Sequence, residues 1–273
     1  MRANTPCSDK PDIRLEDLII PPTALASTHP RWPDSPLARQ RLTNHLRFQT
    51  YDLSVRVLPV ILSFIDRVNA AHPWSHNDAY TGFVMRHARV VRRIGGTVAV
   101  DVGCGTGDLL ERLATVFPDV LGVESDVETA RIAARRFSHT AAQIEARPFG
   151  REPADSYDLI VFVASLHHMP LRSALEQARA AVRPGGRIVI VGLAREDSQD
   201  ALRTGLSVVL NPLVGLIRHP TRAAGVPARM QAPTAAPAET FAEIRDVAST
   251  VLPGVKMRRR LFWRYTAHWS APR

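Results

Sequence analysis

The chain has 273 residues, 45% of them hydrophobic, and a formal net charge of +9. That length holds one substantial buried core with room for a cap, and the ordinary apolar fraction excludes a disordered or low-complexity polymer. The only two cysteines, Cys7 and Cys104, support neither a disulfide framework nor a thiolate metal cluster, and they suit a reducing cytoplasm.

Residues 1–36 carry Pro6, Pro11, Pro21, Pro22, Pro30, Pro33 and Pro36 and read as a mostly extended arm, partly disordered, in which Ile13, Leu15, Leu18, Ile19 and Ile20 offer docking points. Asp9, Asp12, Glu16 and Asp17 interrupt any apolar run, so a secretory signal is not expected. Residues 37–96 read as a helical cap. Within it, 37–72 has Leu42, Leu46, Val57, Leu58, Ile61, Leu62 and Ile65 at helical spacing, with Pro59 placed to kink or divide it. A second helix is expected over 76–94, where Arg86, Arg89, Arg92 and Arg93 recur.

The core is expected over 97–196. Val98-Ala99-Val100 runs into Asp101 and then Gly103, Gly105 and Gly107 at alternate positions, with Leu109, Leu110 and Leu113 following at helical spacing. This is a strand, a glycine-rich turn and a helix N-terminus, an arrangement that presents backbone N–H groups to a closely approaching ligand. A dinucleotide fingerprint needs glycine or alanine three residues after its second glycine. Here that position is Asp108, which fits poorly beside a pyrophosphate.

A second apolar strand, Val120-Leu121-Gly122-Val123, ends in Glu124 and Ser125. An acidic residue there can accept from both hydroxyls of an adenosine ribose. Leu159–Val163 is a further buried strand, and Arg172–Val182 a helix. Arg183-Pro184-Gly185-Gly186 reads as a turn, and Arg187–Val191 as another strand. Apolar strands alternating with helices predict a Rossmann-like parallel sheet covered on both faces, an α/β fold.

Residues 197–250 read as a lid insertion. Leu206, Val208, Val209, Leu210, Leu213, Val214, Leu216 and Ile217 are too many for an exposed helix, which makes them lid core or the wall of an apolar substrate site. A Pro/Ala-rich linker follows at Ala232–Ala238. Val57–Ile65 and Leu206–Ile217 are too short to span a bilayer, so no transmembrane segment is expected; peripheral membrane contact by the basic, apolar insertion is a minority reading. Residues 251–273 alternate Met257, Arg259 and Leu261 against Arg258, Arg260 and Phe262, a strand pattern.

VDVGCGTG, LGVESD, YDLIVFVASLHHM, VRPGGRIVIVG and LPGVKMRRRLFWRYTAHW, in that order and spacing, resemble class I S-adenosylmethionine-dependent methyltransferases. Trp74-Ser75-His76-Asn77-Asp78 with Tyr80 resembles the lid segment of a bacterial small-molecule group within them. The resemblance implies about seven strands with an antiparallel C-terminal pair. It also implies S-adenosylmethionine as cofactor. Asp101, Gly103, Cys104, Gly105 and Gly107 would hold its methionine end, Glu124 and Ser125 the ribose, and Ala164 would pass beneath the sulfonium. His76 and Tyr80 would lie near the methionine carboxylate. The chain departs from the family near the adenine. Arg147 stands where an acidic residue is common, and Phe149 is the substitute candidate by stacking.

His167 and His168 follow the β-strand that ends at Val163 and are candidates for a general base, one of the two, with His168 preferred; the other packs under the loop. The first functional reading is methyl transfer to oxygen, nitrogen or carbon of a small acceptor: a secondary metabolite, quinone or lipid-like compound. The basic charge keeps RNA or a peptide as an alternative, although no zinc knuckle, RNA-binding module or aromatic-interleaved basic stripe accompanies it. A non-catalytic cofactor-binding regulator is the third reading. The oligomeric state is not legible in the sequence.

Overall fold

The computed structural model describes residues 60, 62–222 and 235–273. The proline-rich arm, the expected helix up to Pro59 and residues 232–234 of the Pro/Ala-rich linker lie outside the described residues.

Helix α1 (62–71) leads through Trp74 into a 3-10 turn, His76–Tyr80, and α2, Thr81–Arg93. Then β1 (Val98–Val102), α3 (Asp108–Ala114), β2 (Asp119–Glu124), α4 (Val127–Arg136), β3 (Gln143–Ala146) and β4 (Tyr157–Val163) alternate. They are followed by α5 (Leu171–Ala181), β5 (Val182–Gly192), α6 (Ala201–Arg218), α7 (Phe241–Val251), β6 (Lys256–Arg259) and β7 (Tyr265–Ser270). The seven strands form one sheet in the order β3-β2-β1-β4-β5-β7-β6. The first five are parallel and β7 is antiparallel to both neighbours.

Strand alternation divides the core. Val100, Val102, Ile160, Phe162, Ile188 and Ile190 face α5 and α7, whereas Ala99, Leu159, Val161, Val189 and Val191 face α2 and α3. These strands are apolar on both faces because helices cover both. The α5 stripe Ala174, Leu175, Ala178 and Ala181 is buried at helical spacing, and α7 is started by a capping box between Thr240 and Glu243. The sequence expected a turn at Arg183–Gly186; instead these residues are a bulge inside β5, with Tyr157 opposite Val182 and Leu159 opposite Arg187.

Helix α6 differs most from expectation. Leu206, Val209, Leu213, Leu216 and Ile217 are exposed among the described residues. Its buried positions are Ser207 and Gly215. The small face packs because it admits close neighbours: a Cβ on Gly215 would lie 2.5 Å from the His72 carbonyl oxygen. Residues Ser198–Arg218 are also long and apolar enough to cross a membrane by length and composition, longer than Leu206–Ile217 alone suggested.

Candidate active site

Sheet order reverses between β1 and β4, and the crevice outside the carboxyl ends of those strands is the expected ligand position. A cavity of about 800 Å³ lies there, walled by Asp101, Gly103, Cys104, Gly105, Glu124, Ser125, Ala164, Ser165 and His168, with Ser75, Asn77, Asp78 and Thr81 from the cap. A second cavity of about 620 Å³ adjoins it and shares Gly103, Ser125, His168 and Met169, with Arg147 and Phe149 on its far wall.

The three glycines of the loop do different work. All have positive φ: 71°, 57° and 91° for Gly103, Gly105 and Gly107. A Cβ on Gly103 would lie 2.4 Å from Ser165 Cβ, and one on Gly107 would lie 2.3 Å from the Phe137 ring. Those two glycines permit packing. Gly105 has nothing within 4 Å of such a Cβ, so it alone of the three opens onto free space. Its N–H donates to Glu124 Oε2 at 2.9 Å, and Asp126 N–H donates to Oε1 at 3.0 Å. Glu124 thus ties the loop to the end of β2 and keeps lone pairs for a further donor. Cys104 packs its sulfur against Gly122, and burial with the Asp101 and Glu124 carboxylates pushes its thiol up. It behaves as a small buried hydrophobe.

Asp101 is 2% exposed, and among the described residues its carboxylate has no hydrogen-bond partner. Burial and the nearby Glu124 push its pKa up to about 7. A buried carboxylate on a cavity wall without a protein partner calls for a cationic or donor group from a ligand. The free α-ammonium of S-adenosylmethionine meets that requirement, and Glu124 can take the ribose hydroxyls, so the residues present fit that cofactor.

Ala164 has φ 54°, a left-handed conformation that is strained for a non-glycine and is met most often at functional sites. Directly after it, Ser165 Oγ and His167 Nδ1 are buried without partners among the described residues. The two histidines part company. His168 borders both cavities. His167 lies toward Arg264, and burial followed by the neighbouring His168 lowers its pKa to about 4.

His76 and Tyr80 do not line the cavity. His76 Nε2 bonds Asn211 Oδ1 at 2.9 Å, and its ring stacks on Phe262 at 5.8 Å. Tyr80 donates to the Leu261 carbonyl at 2.7 Å. Both fasten the cap to α6 and to the β6–β7 turn, and Ser75, Asn77 and Asp78 take the cavity-facing places instead. The neighbouring letters of the same segment were in view in the sequence; which of them turned inward was not. Arg147 donates to Glu145 and doubly to Glu152, which neutralises the cation beside the second cavity, and Phe149 stands edge-on to Phe162 at 5.5 Å.

Residues 75–226 match the methyltransferase domain family. An uncharacterized methyltransferase of Mycobacterium bovis is 30% identical over 207 residues, 73% of this chain and 98% of that protein. This chain belongs to the class I S-adenosylmethionine-dependent methyltransferases. A ubiquinone biosynthesis O-methyltransferase from Bordetella avium is 31% identical over 106 residues, 37% of this chain and 44% of that protein. Among solved structures, a methyltransferase from Methanosarcina mazei aligns with TM-score 0.45 and 14% identity, covering 65% of this chain and 93% of that one. As a member of that family, this methyltransferase uses S-adenosylmethionine as methyl donor.

Proposed function

We propose that this methyltransferase acts on a small-molecule acceptor at oxygen, nitrogen or carbon, of the secondary-metabolite, quinone or lipid-like kind. The observation that carries the reading is the cap at the edge of the site. The cap segment from Ser75 to Thr81 borders the main cavity and is bolted to α6 and to the hairpin turn by Trp74, His76 and Tyr80. A cleft edged by a fixed cap suits a compact acceptor better than a nucleic-acid duplex or folded protein, and it helps align that acceptor with the methyl. The partial similarity to ubiquinone O-methyltransferases supports the same class.

The bound cofactor supplies an electrophilic methyl on a positively charged sulfur. The chain's own part is to hold and align. Asp101 and the loop N–H groups hold the amino-acid end, Glu124 with Ser125 the ribose, and Phe149 borders the adenine end. His168, at the junction of the two cavities, accepts the proton of a hydroxyl or amine nucleophile. His167, turned under the loop and kept neutral, positions it.

The test is turnover with methyl-labelled S-adenosylmethionine against metabolite, peptide and RNA pools. Label is expected in the metabolite pool. Label confined to RNA or peptide overturns the acceptor class, and no labelling of any pool by a cofactor-binding protein favours a regulator.

A further inference from the structure

Beside the cleft stands a cation without a counterion among the described residues. At the carboxyl edge of the sheet, Val163 pairs with Val191 and Gly192 with Tyr265. The β4 lip at Ala164 is therefore followed by β5 and then by the start of β7, where Arg264 sits. With strands about 4.8 Å apart, Arg264 originates on the order of 10 Å from Ala164, on the side opposite β1 and β2.

Arg264 borders a small recess of its own, and its guanidinium reaches the wall of the main cavity through Asn77. Nε donates to Asn77 Oδ1 at 3.1 Å, and Nη1 reaches the Phe262 and Trp263 carbonyls at 3.4 Å. Asn77 itself borders the main cavity. Every one of these acceptors is neutral. Among the described residues no carboxylate lies within ion-pair distance of Arg264, although eight other arginines have one, Arg259 with both Asp197 and Asp200 among them. Glu196 and Asp200 border the same small recess as Arg264, but they are taken up by Thr204 and Arg259. Burial lowers the Arg264 pKa to about 10. A desolvated guanidinium held only by neutral oxygens is costly, and a carboxylate is the partner its fork fits best.

The position is held at a cost. Phe262 and Trp263, immediately before Arg264, have φ 55° and 56°, two successive bulky residues in the left-handed region, on the order of 1–3 kcal/mol each. Phe262 is buried edge-on to Trp74 at 4.9 Å, and its N–H donates to Ser207 Oγ at 2.8 Å. These contacts offset the strain and fix where the guanidinium emerges.

We propose that Arg264 is the anion receptor of the acceptor site, so that the methylated small molecule carries a carboxylate or equivalent fixed negative charge. The proposal rests on the small-molecule reading above and narrows it. The cofactor's own carboxylate is the competing source of the anion; the sheet places Arg264 beyond β4 and β5 from the glycine loop, which favours the acceptor.

The test uses the full chain loaded with S-adenosylhomocysteine, titrated calorimetrically with 4-hydroxybenzoate and with its uncharged counterpart 4-hydroxybenzamide. The carboxylate is expected to bind at least tenfold tighter than the amide. Arg264→Gln should erase that ratio and Arg264→Lys should restore part of it, a pattern that simple loss of packing does not produce. Affinity for S-adenosylhomocysteine should stay within about twofold in both variants. A parent protein that binds both aryl compounds alike, or neither, overturns the proposal. So does an Arg264→Gln variant that loses S-adenosylhomocysteine at least tenfold while keeping 5′-methylthioadenosine, which has no carboxylate; the guanidinium then serves the cofactor. Failure of the parent to bind S-adenosylhomocysteine would instead strike the methyl-transfer reading itself.

Discussion

The two halves of the cleft are built in opposite ways. The cofactor half is local: Asp101, the glycine loop and Glu124 fall within one strand–helix–strand unit, and its decisive bond, Gly105 N–H to Glu124, spans 19 residues. The acceptor half is assembled from remote segments. Arg264 meets Asn77 across 187 residues, Tyr80 meets Leu261 across 181, and Trp74 meets Asn211 across 137. A site made from consecutive residues survives drift elsewhere in the chain, whereas one clasped between cap, insertion and hairpin is free to change its substrate without disturbing the cofactor. On the proposed reading, specificity belongs to the second half.

That contrast breaks first at Gly105. Gly105→Val is expected to abolish S-adenosylhomocysteine binding by calorimetry while the circular-dichroism spectrum remains that of the parent, because the new side chain enters the cleft. Gly107→Ala should instead register as a fall in melting temperature, since its methyl meets the Phe137 ring. A Gly105→Val protein with parental affinity would show that the ligand does not approach this loop.

Next comes His168, at the seam between the halves. His168→Ala should lower turnover by about 10²–10⁴-fold with cofactor affinity nearly intact, and His167→Ala should chiefly lower stability. A pH–rate profile of both variants beside the parent decides. Undiminished turnover and an unaltered profile for His168→Ala would remove the base and leave alignment alone.

For the ribose contact, Glu124→Ala should weaken cofactor binding by about 1.5–3 kcal/mol. The structure adds a reason for part of the loss, because the same carboxylate holds Gly105 and Asp126. Unchanged affinity in a folded variant would place the ribose elsewhere.

The smallest effect is one of pH. With its pKa pushed up to about 7, Asp101 is mostly neutral at pH 6 and mostly ionised at pH 8 in the free protein. Only the ionised form pairs with an ammonium, so S-adenosylhomocysteine should bind about tenfold tighter at pH 8 than at pH 6. Asp101→Asn should flatten that slope; a parent protein with no slope would show that the ammonium is held by other groups.

Much of the cofactor half was legible before any coordinate. Short apolar strands, three alternate glycines and an acid twenty residues on are consecutive signals, and each acts through backbone geometry that neighbours in sequence dictate. Even so, the glycines looked equivalent in the sequence. Only packing separates Gly105, which faces the cleft, from Gly103 and Gly107, which face Ser165 and Phe137. On the acceptor side the expectations fared differently. The apolar comb of α6 reads in the sequence as lid core or the wall of an apolar substrate site, yet the helix docks by Ser207, Asn211 and Gly215, because close approach to Trp74 and His72 needs small residues rather than large ones. His76 and Tyr80 were placed at the cofactor and instead secure the cap. Arg264 gave no signal at all, one arginine among many.

By itself, then, the sequence determined the parallel α/β core and the glycine loop, since these rest on hydrophobic periodicity and on turn chemistry confined to a few consecutive residues; the methyl donor followed from the family resemblance that those motifs carry. The tertiary structure alone decided which side chains of the cap face inward, which face of α6 is buried and where a guanidinium with no carboxylate partner among the described residues emerges. Those outcomes depend on contacts between segments more than a hundred residues apart, where burial and charge pairing are settled by the neighbours that folding brings together.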